Sequence, residues 1–274
     1  MTFAQDTSAQ WIRGFGKEFD GGRVRLVCFP HAGGAASFYY PLAGRLGGEG
    51  GVAEVRAVQY PGRQDRRREA PLTTIEALAS RAVEEVRRLN DKPLVLFGHS
   101  MGAVIAYEVA RRLERESGPR PLGLIASGRR APSVHIPDDV HRRGDGELID
   151  ALRELSGTAS SLLDDEEVLR MILPALRADY RAVESYRHRP GPELACPVTA
   201  LVGVDDGRAP LEQMRPWRRH TTGAFDLRVF PGGHFYLTEQ WTAVADAIRA
   251  SVGAFEEAAG LTVGGGAQAS PPPA

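Results

Sequence analysis

Pro93-Leu94-Val95-Leu96-Phe97-Gly98-His99-Ser100-Met101-Gly102 is the stretch on which the fold of this chain turns. Five consecutive apolar residues without polar alternation read as a strand covered on both faces, as central parallel strands are. The next five fit G-x-S-x-G, and residues 103–114 continue as a long helical pattern. Strand, sharp turn and helix in that order place a serine at the top of a sheet with its hydroxyl pushed out. Gly98 and Gly102 fit this geometry, because so tight an elbow brings strand and helix too close for larger side chains.

Working outward, residues 23–29, 52–58, 122–127, 198–202 and 227–230 read as further strands. Residues 73–89 read as a helix: Ile75, Leu78, Ala79, Ala82, Val83, Val86 and Leu89 share one face, and Thr73-x-x-Glu76 can close a capping box. Residues 241–252 read as another. Alternation of this kind predicts an α/β fold, with a mostly parallel central sheet flanked by helices. Residues 130–190 break the rhythm, since they hold three helical patterns (147–155, 166–173 and 175–186) and no good strand. Pro174 is expected to interrupt the last two. An all-helical lid inserted late in the sheet, capping the strand ends and walling an apolar channel, accounts for their stripes better than ordinary surface packing does.

With 274 residues, 42% of them hydrophobic, the chain can bury one large core, and a single domain over 1–262 is expected. The tail 263–274, rich in Gly and Pro, is expected to be disordered. A net charge of −1 gives no field that would attract nucleic acid or an anionic membrane. Cys28 and Cys196 are too sparse for a disulfide framework and fit reduced core thiols in a cytoplasmic protein. Residues 1–19 lack the apolar core of a secretory signal, and no stretch is long enough to span a bilayer. A monomer is expected.

A serine hydroxyl needs a base to take its proton and an acid to orient that base. On such elbows the chain order is Ser, then Asp or Glu, then His. His234, in Phe230-Pro231-Gly232-Gly233-His234-Phe235 after the last predicted strand, is the candidate base. His99 lies within the elbow facing away, His135, His141 and His188 fall in the insertion, and His220 ends a predicted helix. Asp205 and Asp206 both follow the strand 198–202, and physical reasoning alone does not separate them. An oxyanion needs fixed donors, typically backbone amides. Met101 supplies one, and Ala32, in Phe29-Pro30-His31-Ala32-Gly33-Gly34 after the first strand, is the candidate for the other, with His31 shaping the loop. With no H-x-x-x-H, C-x-x-C, dinucleotide or P-loop fingerprint, no metal or cofactor is expected.

Several segments together resemble the stand-alone type II thioesterases of polyketide and nonribosomal peptide pathways, members of the α/β-hydrolase superfamily. They are Phe29 to Gly34, Gln59-Tyr60-Pro61-Gly62-Arg63, the elbow, Leu176-Arg177-Ala178-Asp179 and Gly232-Gly233-His234-Phe235. The resemblance places the acid three residues after the glycine ending its strand, at Asp206, although the proline common after it is Gly207 here. It implies hydrolysis of acyl thioesters from the phosphopantetheine arm of acyl or peptidyl carrier proteins, with Ser100, Asp206 and His234 as catalytic residues and no cofactor beyond the substrate's own arm. Arg63, Arg66, Arg67 and Arg68 read either as a solvated loop or as a docking patch for an acidic carrier. The rivals are a carboxylesterase or fatty acyl thioesterase on the same scaffold, an acyltransferase or cyclase, and a non-catalytic binder.

Overall fold

The computed structural model of the protein describes residues 8–116, 118–156 and 165–261. Seven strands form one sheet: β1 (Ile12–Arg13), β2 (Val24–Phe29), β3 (Ala53–Val58), β4 (Leu94–His99), β5 (Pro121–Ser127), β6 (Val198–Gly203) and β7 (Phe225–Phe230). Their spatial order is β1-β3-β2-β4-β5-β6-β7. Every neighbouring pair is parallel except β1 with β3. Two residues are too few for a periodicity signal, so β1 was not foreseen.

The helices are α1 (Ser8–Trp11), α2 (Tyr40–Leu46), α3 (Ile75–Val86), α4 (Met101–Arg115), α5 (Asp145–Ser156), α6 (Glu166–Ser185), α7 (Leu211–Met214), α8 (Tyr236–Glu239) and α9 (Trp241–Ala258). Successive residues of the central strand divide between two cores. Leu94 and Leu96 join Leu78, Val104 and Ile105 of α3 and α4 on one face. Val95 and Phe97 join Leu42, Ile248 and Phe255 of α2 and α9 on the other. The unbroken apolar run of β4 is therefore the signature of burial on both sides.

Two local expectations are corrected. The cap of α3 is Thr74 rather than Thr73: its hydroxyl accepts from the Ala77 amide at 3.2 Å, and the helix starts at Ile75. Pro174 does not interrupt the insertion, because α6 runs through it as one helix. An interior proline costs about 3 kcal/mol, but this one sits on the exposed face. Ala175, Leu176, Ala178 and Tyr180 are buried just beyond it, and one such leucine alone contributes about 2 kcal/mol. Leu176 and Tyr180 join Val140, Leu148 and Ala151 in a small core shared with α5. The side chain of Leu155, placed on the α5 stripe, and the tail 263–274 lie outside the described residues. Among those described, no helix is long and apolar enough to cross a membrane.

The strand register brings the ends of β2, β4 and β5 level, pairing Phe29 with Gly98 and His99 with Ser127. On the far side Gly203 pairs with Phe230. The loops that follow these strands consequently open at one carboxyl edge of the sheet.

At Gly123 of β5 an added Cβ would sit 2.2 Å from the Phe255 ring of α9. Gly123→Ala is therefore expected to destabilise the fold by about 1–3 kcal/mol through overpacking. In urea unfolding, the double variant Gly123→Ala/Phe255→Leu should recover part of that loss.

Candidate active site

The turn between β4 and α4 holds Ser100 at φ 54°, ψ −118°, a left-handed conformation rare for a side-chain-bearing residue. Such a residue costs about 1–3 kcal/mol and persists only where its surroundings enforce it. The Ser100 amide donates to the Ser127 carbonyl at 2.8 Å, and its carbonyl accepts from Ala103 at 3.0 Å. Both flanking glycines are required sterically. A Cβ on Gly98 would lie 2.2 Å from the Gly102 carbonyl oxygen, and one on Gly102 would lie 1.9 Å from that of Phe29.

At the same edge, His234 Nε2 is 3.0 Å from Ser100 Oγ. Its Nδ1 lies 3.0 and 2.9 Å from the two carboxylate oxygens of Asp206. Asp206 is buried and is held in turn by the amides of Arg208 and Ala209, which donate to Oδ1 at 2.9 and 3.1 Å. Asp205 is exposed. Of the two neighbouring aspartates that local sequence left open, it is Asp206 that points back at His234. An Nδ1–H donated to Asp206 leaves Nε2 as an acceptor towards the serine hydroxyl.

The other histidines do different work. His99 is buried behind the elbow, with Nδ1 2.9 Å from Ser127 Oγ, which contacts the Tyr236 hydroxyl at 2.8 Å. Its ring centroid is 5.1 Å from that of His234. The His31 ring packs edge-on against Phe38 at 4.5 Å and Phe235 at 4.8 Å. Burial, with His234 and Arg63 adding repulsion, pushes His31 down to about 3, and burial holds His99 well below its usual range. Both are therefore neutral beside His234. His141 is bound to Glu184. His220 meets the Tyr107 hydroxyl at 3.2 Å and the Ser133 hydroxyl at 2.9 Å, and burial pushes it down to about 4.

Of the basic run, Arg63 and Arg66 are buried and so are not part of a docking patch. Arg66 grips Glu69 and the Gln59 carbonyl and lies over the Trp11 ring. Arg67 and Arg68 alone form its exposed face. Arg63 instead pairs with Asp179 of α6, a contact sequence reasoning missed. The available signal was an acid on an apolar helix face, three residues after Leu176 and four before Val183.

Ser100 and His234 open into a cavity roofed by the insertion, with Met101, Val104, Ala131, Val134, Leu152 and Val183 among its walls. Ala32 and His31 reach the same cavity, as do Arg129, Arg130, Asp138, Glu184 and Arg208, so the expected apolar channel is instead one of mixed apolar and charged lining. Burial beside Arg130 pushes the Arg129 guanidinium down to about 10. Among the described residues no group of three or more His, Cys, Asp or Glu side chains converges as a metal site.

A serine turned out of a parallel sheet, met by a buried His–Asp pair, invites comparison with known proteins, and the thioesterase domain family matches residues 24–252. The chain belongs to that family. It is 50% identical to the probable cadicidin biosynthesis thioesterase of Streptomyces griseus over 89% of this chain and 66% of that protein, slightly less than two thirds of its length. It is 48% identical to thioesterase PikA5 of Streptomyces venezuelae, over 88% of this chain and 85% of that one. The solved structure of the type II thioesterase BorB, from the borrelidin biosynthetic cluster, superposes with a TM-score of 0.81 at 46% identity, covering 88% of this chain and 97% of that chain. The thioesterase thus has the α/β-hydrolase fold, with a helical insertion as its roof.

Histidines held neutral by burial couple the stability of this thioesterase to pH. Their folded pKa lies below the unfolded value near 6.5, so the unfolded chain gains protons first as pH falls. Their contribution is complete above about pH 6.5 and falls as pH drops, down to about pH 4 for His220 and about pH 3 for His31, with a slope of about 1.4 kcal/mol per pH unit for each such histidine. His220→Gln, which keeps hydrogen-bonding capacity without titrating, is expected to flatten the fall in urea-unfolding free energy between pH 6 and 4.5 by one such increment.

Proposed function

We propose that this thioesterase hydrolyses acyl groups from the phosphopantetheine arm of acyl or peptidyl carrier proteins, clearing stalled or aberrant chains from a polyketide or nonribosomal peptide synthase. The observation that carries the reading is the continuous Asp206–His234–Ser100 hydrogen-bond chain, opening into a cavity of mixed apolar and charged lining in a chain so similar to named biosynthetic thioesterases.

In the first half-reaction His234 Nε2 takes the proton of Ser100 as Oγ attacks the thioester carbonyl. Asp206 holds the ring in the required tautomer and stabilises the imidazolium. The carbonyl electrons move onto oxygen, which the amides of Met101 and Ala32 stabilise. Supporting this assignment, the neighbouring amides are engaged elsewhere: Gly33 donates to Asp179, Gly34 to His31 and Ser100 to Ser127. When the tetrahedral intermediate collapses, the carbon–sulfur bond breaks and the pantetheine sulfur leaves with the proton from His234. Water, deprotonated by His234, then attacks the acyl-enzyme ester; collapse returns the proton to Ser100 and releases the acid. The neutrality of His31 and His99 favours this scheme, since a fixed positive charge beside His234 would oppose its protonation.

A carboxylesterase would use the same residues, so the rate on thioesters against matched oxygen esters distinguishes the two. A preference for the oxygen ester would overturn the thioesterase chemistry. Transfer of the acyl group to an amine or hydroxyl in place of water would appear in the mass of the product.

Ser100→Ala is expected to lower kcat on an acyl-carrier thioester by about 10⁴-fold or more, and His234→Ala nearly as much, because such residues act as a unit. Asp206→Asn should cost about 10²–10⁴-fold. Asp205→Asn should stay within about threefold, as surface changes away from special contacts do. Circular dichroism should find all four folded. The reverse ranking of the two aspartates would remove Asp206 from the mechanism.

A further inference from the structure

We infer that Asp179 and Arg63 form a positioning clamp that ties α6 to the oxyanion loop, so that the oxyanion hole is complete only while the second half of α6 is seated. The inference rests on the serine thioesterase reading above but concerns residues outside the Ser100–His234–Asp206 set.

Asp179 is fully buried on the inner face of α6. Its Oδ2 accepts from the Gly33 amide at 2.7 Å and from the Arg63 guanidinium. Arg63, buried after β3, also donates to the Gly34 carbonyl at 3.0 Å and the Pro61 carbonyl at 2.7 Å. One ion pair from two distant elements therefore grips the N–H of Gly33 and the C=O of Gly34. Gly33 has φ 76°, one of several conformations open to glycine, so it is the Asp179 contact rather than local sterics that fixes this peptide. The preceding residue is Ala32, the second oxyanion donor, which lines the cavity with Ser100. With the Gly33 peptide fixed, the amide of Ala32 is fixed one residue away.

The chemistry of the clamp suits that task. An uncompensated buried carboxylate near a developing oxyanion would repel it; Arg63 offsets the charge, so Asp179 can serve as acceptor without that penalty. A buried pair carries a desolvation cost of several kcal/mol per ion and adds little net stability. What it supplies is direction, two rigid charge-assisted bonds at one point. Leu176, one turn earlier, leans on the same residue: a Cβ on Gly33 would lie 2.9 Å from its Cδ1. Before Pro174 the helix is more loosely held, with Val168, Leu169, Ile172 and Leu173 only half-buried. The insertion thus divides at Pro174 into an anchored half and a half with fewer buried side chains.

Asp179→Ala, and Arg63→Met/Asp179→Leu, which removes both charges together, delete the acceptor for Gly33. The double variant removes both charges but leaves the Gly34 and Pro61 carbonyls without Arg63, so its melting temperature is expected to fall, though less than that of Asp179→Ala, which also strands the buried Arg63 charge. On an acyl-N-acetylcysteamine thioester, each folded variant should lose about 10²-fold in kcat, the scale of one oxyanion donor, with KM within about twofold. Affinity for an alkylboronic acid, whose adduct with Ser100 is tetrahedral and anionic, should fall in the same proportion. Asp179→Asn, which retains an acceptor oxygen, should recover much of both. A folded variant with kcat within about threefold of the parent, a loss confined to KM, or a loss of turnover without a matching loss of boronate affinity would overturn the clamp. Failure of the boronate to engage Ser100 in the parent enzyme would instead count against the serine thioesterase reading.

Discussion

Everything at the carboxyl edge of the sheet depends on how closely α4 approaches β4 and β2. The carbonyl oxygen of Phe29 occupies space that any side chain at Gly102 would need, and the carbonyl of Gly102 does the same to Gly98. This contact forces the left-handed turn at Ser100 and points its hydroxyl out of the sheet. Burial of β4 on both faces supplies the energy that holds the strained residue, since the two cores meet across that strand.

With the serine fixed, the rest of the site is a matter of register. Parallel pairing from β2 to β7 sets the strand ends level, so loops distant in sequence converge on one point. Asp206 is locked by two amides of its own turn, and His234 is locked by Asp206. Behind them His31, His99, Ser127 and Tyr236 make a neutral polar backing to an otherwise apolar interior. The ring of His99 packs against that of His234, whose Nδ1 meets the Asp206 carboxylate.

The helical insertion is less a detached lid than part of the wall. Its apolar stripe faces the cavity and the small core around Tyr180, while Asp179, on the same face, reaches the loop beneath. One helix therefore both roofs the cavity and contacts the loop after β2. The basic run after β3 shows the same economy, since half of its arginines are internal struts and only Arg67 and Arg68 meet solvent.

Much of this was legible in the chain as written. The apolar run into Gly98-His99-Ser100-Met101-Gly102 specifies a buried strand and a strained turn, because both follow from local sterics and hydrophobic period. The alternation of strands and helices, the helical break at 130–190 and the glycine-rich loop bearing His234 are equally local signals. Other features exist only in three dimensions. Asp205 and Asp206 are indistinguishable until β6 and β7 are paired, and only the paired sheet aims Asp206 at His234. Arg63 and Arg66 look like surface charge until the fold buries them, Arg63 against Asp179 of a distant helix and Arg66 over the Trp11 ring, and Pro174 looks like a break until packing of the residues beyond it carries the helix through. Sequence by itself determined the elements whose cause lies within a few neighbours. Tertiary structure decided every pairing between distant charges, because a side chain's partner is set by where the backbone brings it.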